Sequence, residues 1–484
     1  MSNFESLQYF LPELLIIQLA LSIIILDLLS LKNWINTCLY VGFAFIGLLL
    51  YQFPPTDVSN FIFNDMLIND SFSYYFKWII LIATYSIVIV SRYSKELDTD
   101  YSAEFYALIL FVLLGMFLMT NSSDLLMIYL SIELVSIPSY ILAGMLKNDK
   151  KSNEASLKYV IFGSFASAIM LFGLSWLYGI SGSTNIYEIY KTLAIADNPY
   201  MIYMSLMFIL VGFGYKISMA PLHYWTPDVY EGSPTVVTAF FSVAPKAAGF
   251  AILIRTFSIL FTDGSSLSVD LHPLSNINWT LIIAILSAFT MSIGNLLALK
   301  QDNVKRMLAY STISHVGFML MAFATTSVEG SVGIMFYLTM YMFMNLSAFF
   351  MVIHVENNFD AKNINDWAGI GYKSPILSIF MVLSLVSLAG LPPSSGFIGK
   401  VYLFRTLFAT QQFYWLGIVA ILNSVISLYY YFKIVKSMYF NETDIKATEA
   451  IQIPLYALII LFSAQNIFFY LYWADLYNYI KGLF

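Results

Sequence analysis

The chain alternates between long apolar stretches and short polar connections from one end to the other. A helix rises about 1.5 Å per residue and the hydrocarbon layer of a bilayer is about 30 Å thick, so one crossing needs about 20 apolar residues. Measured against that length, the pattern predicts about fourteen transmembrane helices. They lie near 8–30, 34–53, 73–92, 103–120, 124–146, 158–180, 200–222, 233–260, 277–299, 304–326, 331–354, 374–407, 412–438 and 451–473.

Two of these stretches, the seventh and the twelfth, are interrupted by residues that break helices. Pro221 interrupts the seventh, and Gly390-Leu391-Pro392-Pro393 interrupts the twelfth. Discontinuous helices in corresponding positions of two halves are typical of transporters built from inverted repeats. Because the two positions are five helices apart, an odd number, the two five-helix units would have opposite topology. We therefore predict two inverted repeats, helices 4–8 and helices 9–13.

The chain is predicted to divide into four units along its length. An N-terminal three-helix segment covers 1–100, the first repeat covers 101–262, the second repeat covers 263–440, and a C-terminal helix lies in 441–484.

Composition supports an all-α integral membrane protein and excludes several other classes. Hydrophobic residues make up 59% of the chain and charged residues 11%, and the mean hydropathy is +0.76. Soluble proteins carry about a quarter charged residues. There is no basic tract for nucleic acid, no glycine-rich phosphate loop and no haem-attachment motif. Cys38 is the single cysteine, which excludes an internal disulfide and a cysteine-based metal site.

The distribution of basic residues predicts how the chain is oriented. Fifteen lysines and arginines lie in the connections after the odd-numbered helices, against five on the opposite side. Cytoplasmic loops carry an excess of Lys and Arg. We therefore expect the odd-numbered connections in the cytoplasm and both termini outside.

Five ionisable residues lie within the apolar stretches, where a charge costs about 3 kcal/mol at mid-membrane. Glu133 is in the fifth helix, Lys216 in the seventh, Lys246 in the eighth, His315 in the tenth and Lys400 in the twelfth. Such groups are retained when they are paired, hydrated or functional, so all five are candidate site residues for ion transfer.

Proline or glycine lies close to each of the three lysines. Pro221 follows Lys216 by five residues, Pro245 precedes Lys246, and the 390–393 stretch lies shortly before Lys400. Because proline removes a backbone donor and frees a carbonyl, a broken helix in a membrane marks a cavity lined by protein. We expect three breaks, each next to a buried lysine.

Structural roles also account for some of these residues. Glu133 and Lys216 could form a static ion pair that only holds two helices together. His315 could serve helix packing, hydrogen-bonded to a hydroxyl such as that of Ser311 one turn away.

At these same residues the sequence resembles the antiporter-like membrane subunits of respiratory complex I, the proton-translocating NADH:quinone oxidoreductase. Those subunits are related to subunits of multi-subunit cation/proton antiporters. The resemblance covers about residues 100–440. It rests on the helix bearing Glu133 and on SNEASLKYVIFGSFASAIMLFGLSWLYG (152–179), GFGYKISMAPLHYWTPDVYEGSPT (212–235), SVAPKAAGF (242–250), VKRMLAYSTISHVGF (304–318) and GLPPSSGFIGK (390–400). Within the family the chain is most similar to the group lettered N, because the middle paralogue has glutamate where Lys400 stands.

The resemblance implies a role for each residue. Glu133 would set the proton affinity of Lys216, Lys246 would connect the two halves, Lys400 would serve the exit half-channel, and His315 would belong to the polar axis. It also implies that this chain binds no cofactor. Flavin, iron–sulfur clusters and quinone would belong to other subunits, and the partners would be neighbouring antiporter-like and small membrane subunits. The first three helices and the proline before Lys246 point to a bacterial form, hence to the bacterial inner membrane.

Two other functions stay open. The chain could belong to a cation/proton antiporter complex with no redox partner, since the 212–235 and 390–400 stretches are common to both groups. It could also be a scaffold in which buried charges only lock helices together.

Overall fold

The computed structural model of the protein describes residues 3–52, 60–97, 102–195, 199–262, 273–274, 278–441 and 452–484. These residues are mostly helical. The helices are α1 (Asn3–Tyr9), α2 (Leu11–Leu28), α3 (Lys32–Gln52), α4 (Ser71–Ser91), α5 (Ser102–Asn121), α6 (Leu125–Ala143), α7 (Lys150–Ser181), α8 (Ile186–Leu193), α9 (Pro199–Ile217), α10 (Trp225–Gly232), α11 (Thr235–Leu260), α12 (Trp279–Ala298), α13 (Val304–Phe323), α14 (Val328–Phe359), α15 (Ile370–Lys373), α16 (Pro375–Ala389), α17 (Ser395–Ala409), α18 (Tyr414–Phe440), α19 (Ile453–Leu471) and α20 (Trp473–Lys481).

The predicted membrane architecture is confirmed. Within the described ranges, twelve helices are long and apolar enough to cross a membrane: α2, α3, α4, α5, α6, α7, α9, α11, α12, α14, α18 and α19. The tenth predicted crossing is α13, which carries Lys305 and Arg306 in its first turn. The twelfth is the broken pair α16 and α17, of 15 residues each. With these two, the described part of the chain contains helices at all fourteen crossings that the apolar pattern predicts.

Two helix breaks occur where proline and glycine predict them, and a third expected break does not. The seventh crossing stops at Ile217 and resumes as α10, and the twelfth stops at Ala389 and resumes as α17. Pro245 instead lies inside α11, which continues through it from Thr235 to Leu260. Every residue of α11 is buried, so neighbouring helices surround the proline and hold the helix together. The expectation of a break at Pro245 is wrong.

The two five-helix repeats share a further feature. In each, the third crossing is a helix of 32 residues, α7 in the first and α14 in the second, and the broken crossing follows it. The division into four units stays a prediction, and its boundaries at 100–101 and 263 fall outside the described part of the chain.

The centre of the bundle is formed by α11 and α14. The most apolar stretch of α14 is 94% buried, against 28% for α3 and for α19. The outer helices turn leucine, isoleucine and phenylalanine side chains outward, as a surface in contact with lipid requires. The polar groups of α11 and α14 therefore face other helices and not hydrocarbon.

Side-chain caps determine where several helices begin. Asp70 accepts a hydrogen bond from the backbone N–H of Ser73 at the start of α4, and Asp124 accepts one from Leu126 at the start of α6. Such caps satisfy backbone donors that have no partner within the helix. Short elements that the apolar pattern does not predict also occur, among them the antiparallel hairpin of β1 (Asn60–Ile62) and β2 (Leu67–Asn69).

One ion pair lies within the N-terminal helices, and a second joins them to the rest of the bundle. Lys77 of α4 lies 2.6 Å from Glu13 of α2, and both side chains are almost inaccessible. Lys77 is one of the five basic residues that the charge count places in connections on the opposite side, but it lies within α4. Arg255 of α11 binds both carboxylate oxygens of Asp70 at 2.8 Å and the carbonyl oxygen of Thr120 at 3.1 Å. Burial would raise the pKa of Asp70, but the charge and hydrogen bonds of Arg255 lower it below its ordinary value.

The end of the molecule that carries the connections after the odd-numbered crossings is named the basic face. A chain of ion pairs lies there. Arg306 of α13 contacts Asp228 at 2.6 Å and Glu231 at 3.0 Å, both on α10. Lys158 and Lys151 of α7 contact the same two carboxylates, at 2.6 Å and 2.7 Å. These contacts join α10 to the first repeat through α7 and to the second through α13.

Candidate functional site

The break in the seventh crossing places Lys216 deep in the first repeat. Lys216 lies in the last turn of α9, is 4% exposed, and donates a hydrogen bond to Ser136 Oγ of α6 at 3.1 Å. Glu133 lies one turn before Ser136 on α6. Among the described residues no carboxylate lies within 4.0 Å of the Lys216 ammonium. A static Glu133–Lys216 ion pair is therefore not what holds α6 to α9.

The end of α9 is stabilised by a lysine from another helix. Ser218, the first residue after α9, has a left-handed backbone with φ of 65°. The Lys246 ammonium of α11 donates to Ser218 Oγ at 3.1 Å and to the carbonyl oxygen of Ile217 at 3.5 Å. Thr226 of α10 donates to Ser218 Oγ from the far side of the break, at 2.8 Å. The groups freed by the break thus converge on Lys246.

The broken helix end in the twelfth crossing is also capped by a lysine. The Lys400 ammonium of α17 donates to the carbonyl oxygen of Ala389, the last residue of α16, at 2.8 Å. It also donates to Ser424 Oγ of α18 at 3.3 Å and lies 4.9 Å from the centre of the Phe318 ring. Gly390 has φ of +80°, and a Cβ there would lie 2.7 Å from Lys400 Cδ. Both the backbone conformation and the space for Lys400 therefore require glycine.

In each repeat a lysine caps the carbonyl end of a broken helix. This group is Lys246 of the eighth crossing in the first repeat and Lys400 of the twelfth crossing in the second. Lys216 precedes its break and Lys400 follows its own. The correspondence of Lys216 with Lys400, which both belong to broken crossings, stays a prediction.

His315 lies between the two breaks and is bound by two tyrosines. Its Nδ1 lies 2.6 Å from the Tyr337 hydroxyl of α14, and its Nε2 lies 3.1 Å from the Tyr431 hydroxyl of α18. Ser311 hydrogen-bonds Tyr431 and not His315 directly. A ring with hydroxyl partners on both nitrogens has the connections that a proton relay needs, because each nitrogen can accept or donate.

A stripe of polar residues on α14 lies between His315 and both breaks. The apolar pattern of the sequence did not predict it. Tyr337, Tyr341 and Asn345 are spaced four apart, so they share one face of the helix. Asn345 donates to Ser242 of α11, one turn before Lys246, at 2.7 Å. The Tyr341 ring lies 5.2 Å from that of His315.

The far end of this stripe reaches the second break. The Tyr337 ring packs against Gly399, next to Lys400, where a Cβ would lie 2.6 Å from Tyr337 Cδ2. The Tyr341 hydroxyl and Asn345 Oδ1 are buried without a hydrogen-bond partner. The repeat of tyrosine, tyrosine and asparagine at four-residue spacing in an apolar helix was the signal that could have revealed the stripe.

The structure buries four of the five predicted residues and gives each of them polar partners. Lys216, Lys246, His315 and Lys400 are each at most 4% exposed. Glu133 on α6 is partly exposed, and its Oε1 atom is buried without a hydrogen-bond partner. Over the described ranges, no three His, Cys, Asp or Glu side chains are grouped so that they could bind a metal ion.

Comparison with known proteins shows which family the chain belongs to. Residues 122–427 match the family model described as NADH:quinone oxidoreductase/Mrp antiporter, TM. The chain belongs to this family. All five ionisable residues lie within the part that matches the family model.

Two relatives in the family match nearly the whole chain. NADH-quinone oxidoreductase subunit N of Anaeromyxobacter sp. (strain Fw109-5) is 37% identical over 504 residues, which cover 99% of this chain and 97% of the relative. NADH-quinone oxidoreductase subunit N 2 of Sorangium cellulosum (strain So ce56) is 42% identical over 499 residues, with the same coverage. These identities confirm the resemblance to the group lettered N.

Two solved structures share the fold. A chain of respiratory complex I from Thermus thermophilus is 26% identical and matches with a TM-score of 0.78, over 96% of this chain and 98% of that one. A chain of the Mrp complex from Dietzia sp. DQ12-45-1b is 20% identical, with a TM-score of 0.81 over 100% and 97%. The second likeness concerns the fold alone.

Proposed function

We propose that this chain is a proton-translocating membrane subunit of a redox-driven NADH:quinone oxidoreductase, in which electron transfer takes place in other subunits. The observation that carries the proposal is the pair of buried lysines, Lys246 and Lys400, each bound to the carbonyl end of a broken membrane helix. The printed names of the relatives, which match this chain over nearly its whole length, supply the complex.

Proton transfer through this path follows from electrostatics in a medium of low dielectric. Burial disfavours the charged form of a lysine, and a nearby negative charge favours it. At about 4 Å and an effective dielectric of about 20, a unit charge is worth about 4 kcal/mol. A change in the separation of Glu133 and Lys216 is enough to load or release a proton. The charge then passes by the same coupling to Lys246, through His315 and the α14 tyrosines, to Lys400.

The position of Glu133 supports a contact with another subunit. Around it, α6 exposes Leu130 and Ile137, at 57% and 56%. The Glu133 Oε1 atom is buried without a hydrogen-bond partner next to this exposed apolar surface, and an unpaired carboxylate in a membrane is costly, so a neighbouring membrane subunit covers this side of α6. Flavin, iron–sulfur clusters and quinone belong to other subunits of the complex, and this chain binds none of them itself.

The orientation follows from the charge bias of the connections. The basic face lies in the cytoplasm, and both termini lie in the periplasm of the bacterial inner membrane. Protons are therefore taken up at the basic face and released at the other.

The proposal is tested by replacing Lys216 and Lys400 with methionine, singly and together. Each is a required stop on one route, so each single variant loses pumping, and the double variant is little worse because residues that act as a unit are not additive. The measurement is protons pumped per quinone reduced in reconstituted vesicles, with assembly checked on native gels. Lys191→Met, which removes an exposed lysine from α8, is the control. Full pumping in the Lys400 variant would contradict the route.

Two variants of Glu133 test its role. Glu133→Gln removes the charge that favours the protonated form of Lys216, so turnover falls strongly, whereas Glu133→Asp retains more activity. Near-normal rates in both, in assembled complexes, would make Glu133 structural.

An antiporter subunit without a redox partner is distinguished by copurification. A purified particle with flavin and iron–sulfur absorbance supports the proposal. A particle without them, containing only other antiporter subunits, would contradict it.

A further inference from the structure

A second group of ionisable side chains, of which Lys305 is buried and two carboxylates are partly buried, lies at the basic face, where α11 begins. The backbone N–H of Thr235 donates to Glu96 Oε2 at 2.6 Å, and its hydroxyl donates to Glu356 Oε2 at 2.5 Å. The Lys305 ammonium donates to Thr235 Oγ1 at 3.1 Å and to the carbonyl oxygen of Ser233 at 2.9 Å. Two carboxylates and a lysine thus meet at one residue.

The three charged groups come from three parts of the molecule. Glu96 follows α4 of the N-terminal segment, while Lys305 and Glu356 belong to α13 and α14 of the second repeat. The two carboxylates repel each other when both are ionised, and the Lys305 charge counteracts this repulsion. Lys362 adds a second positive charge nearby. The group thus joins carboxylates that can accept a proton to an ammonium that can donate one.

One of the two carboxylates is open to water. Glu96 lines a cavity of about 1190 Å³ at the basic face. Polar and charged side chains from α3, α4 and the connection after α6 form most of its wall, among them Lys32, Arg92 and Lys147. Basic groups around a carboxylate keep the cavity hydrated, so protons from solution reach Glu96.

The other end of the group leads to Lys246 along one face of α11. Thr235, Thr238, Ser242 and Lys246 follow one another at spacings of three and four residues, so they line a single side of the helix. All four are at most 1% exposed. The eleven residues from Thr235 to Lys246 span about 17 Å. The face therefore carries a hydrogen-bonding side chain at every turn between the carboxylates and the lysine.

Unsatisfied polar atoms lie beside this face. Tyr230 and Ser233 are both 0% exposed, and neither the Tyr230 hydroxyl nor Ser233 Oγ has a hydrogen-bond partner. The Lys246 ammonium lies 5.8 Å from the centre of the Tyr230 ring, and Thr238 donates to the Tyr230 carbonyl oxygen at 2.9 Å. Buried polar atoms are nearly always hydrogen-bonded, so these two mark places where water binds along the route.

We propose that Glu96 and Glu356 take up protons from the cavity and pass them along this face of α11 to Lys246. The inference deepens the proposed function and rests on it. A proton from water binds a carboxylate of the pair. The Thr235 hydroxyl can exchange protons between Lys305 and Glu356, receiving one from the ammonium as it gives its own to the carboxylate, and a proton taken up from the water of the cavity then restores the Lys305 ammonium. The proton then moves through water and the Thr238 and Ser242 hydroxyls.

The test compares Glu96→Gln and Glu356→Gln with Lys246→Met in reconstituted complexes at several pH values. Glutamine can still accept the hydrogen bond from Thr235, so the helix start keeps its cap. Without the carboxylates of Glu96 and Glu356, protons must reach the α11 face directly from water. We expect pumping to fall about tenfold near pH 8, and the deficit to shrink strongly near pH 6, where protons are about a hundredfold more abundant. Glu356→Asp should restore much of the rate.

Glu329→Gln is the matched control, because Glu329 lies at the opposite end of α14 and is partly exposed. If Lys246→Met abolishes pumping but both glutamine variants behave like Glu329→Gln at every pH, the uptake route is wrong and the proposed function stands. A deficit that is equal at all pH values would also overturn the route. Normal pumping in Lys246→Met would contradict the proposed function itself.

Discussion

At the scale of single residues, each buried lysine on the path is bound by neutral oxygen atoms and not by a carboxylate. Ser136 binds Lys216, and backbone carbonyls with serine hydroxyls bind Lys246 and Lys400. Neutral acceptors favour the charged form less strongly than an ion pair does. Each lysine is thus held where a modest electrostatic change alters its protonation, whereas Lys77 is paired directly with the carboxylate of Glu13.

Gly390 controls the position of Lys400, and we expect Gly390→Ala to abolish pumping in an assembled complex. An alanine there adopts a left-handed conformation at a cost of about 1–2 kcal/mol, and its Cβ displaces Lys400 from the Ala389 carbonyl. Proton pumping per quinone reduced is the measurement. Gly179→Ala is the control, since a Cβ at Gly179 meets nothing within 4 Å. Equal pumping by the two variants would show that Lys400 tolerates displacement.

At the scale of elements, ion pairs fix the ends of the helices that carry the site. Arg255 is wholly buried, and it joins the end of α11 to the start of α4 through Asp70. Breaking such a pair leaves a buried charge uncompensated, which costs about 3–5 kcal/mol.

Removal of Asp70 alone should therefore destabilise the protein more than removal of both partners. We expect Asp70→Asn to lower the thermal unfolding midpoint strongly, and the double variant Asp70→Leu, Arg255→Met to recover much of the loss. Unfolding in detergent, followed by circular dichroism, measures both. A double variant less stable than Asp70→Asn would show that the pair itself is strongly stabilising.

The ion pairs of α10 predict a pH-dependent contribution to stability. Burial alone would raise the pKa of Asp228 and of Glu231, but Arg306 and the α7 lysines lower both below their ordinary values. A lowered folded pKa gives stability that is complete above the unfolded pKa, about 4, and is lost as the pH falls through the folded value. Arg306→Gln should be less stable than the wild type by about 1 kcal/mol near pH 7.

That difference in unfolding midpoint should shrink below about pH 4, as the two carboxylates become protonated. The control is Arg92→Gln, because Arg92 hydrogen-bonds the Tyr40 hydroxyl and not a carboxylate. A difference that persists unchanged at pH 3 would rule out the ion pairs as its source.

At the scale of the whole molecule, the charge bias predicts which side each end faces. Impermeant thiol reagents applied from the periplasm should label Gly482→Cys and spare Asn148→Cys, in a chain whose Cys38 is replaced by serine. Both sites are exposed, at opposite ends of the bundle. The reverse pattern would invert the orientation. Ser2, the corresponding site at the N-terminus, lies outside the described residues.

The sequence predicted the crossings and the two breaks because both depend on local properties. Apolar length determines a crossing, and proline with glycine determines a break. Glu133, Lys216, Lys246, His315 and Lys400 were recognisable because charge within an apolar stretch is rare. The tyrosine stripe of α14 and the Glu96–Glu356 pair were not, because each depends on which helices pack together. The effect of Pro245 could not be predicted either, because the packing of other helices around α11 keeps this helix continuous.

The capping of buried cations has a consequence for how the protein is made. Six buried cations of the described residues each have an oxygen acceptor that precedes them in the chain: Glu13 for Lys77, Ser136 for Lys216, Ile217 for Lys246, Asp70 for Arg255, Ser233 for Lys305 and Ala389 for Lys400. In the first five pairs the acceptor belongs to an earlier crossing or connection, so a chain synthesised from its N-terminus inserts it before the cation arrives. These positive charges therefore enter the bilayer when their acceptors have already been inserted, and the insertion cost of about 3 kcal/mol need not be borne by a helix alone.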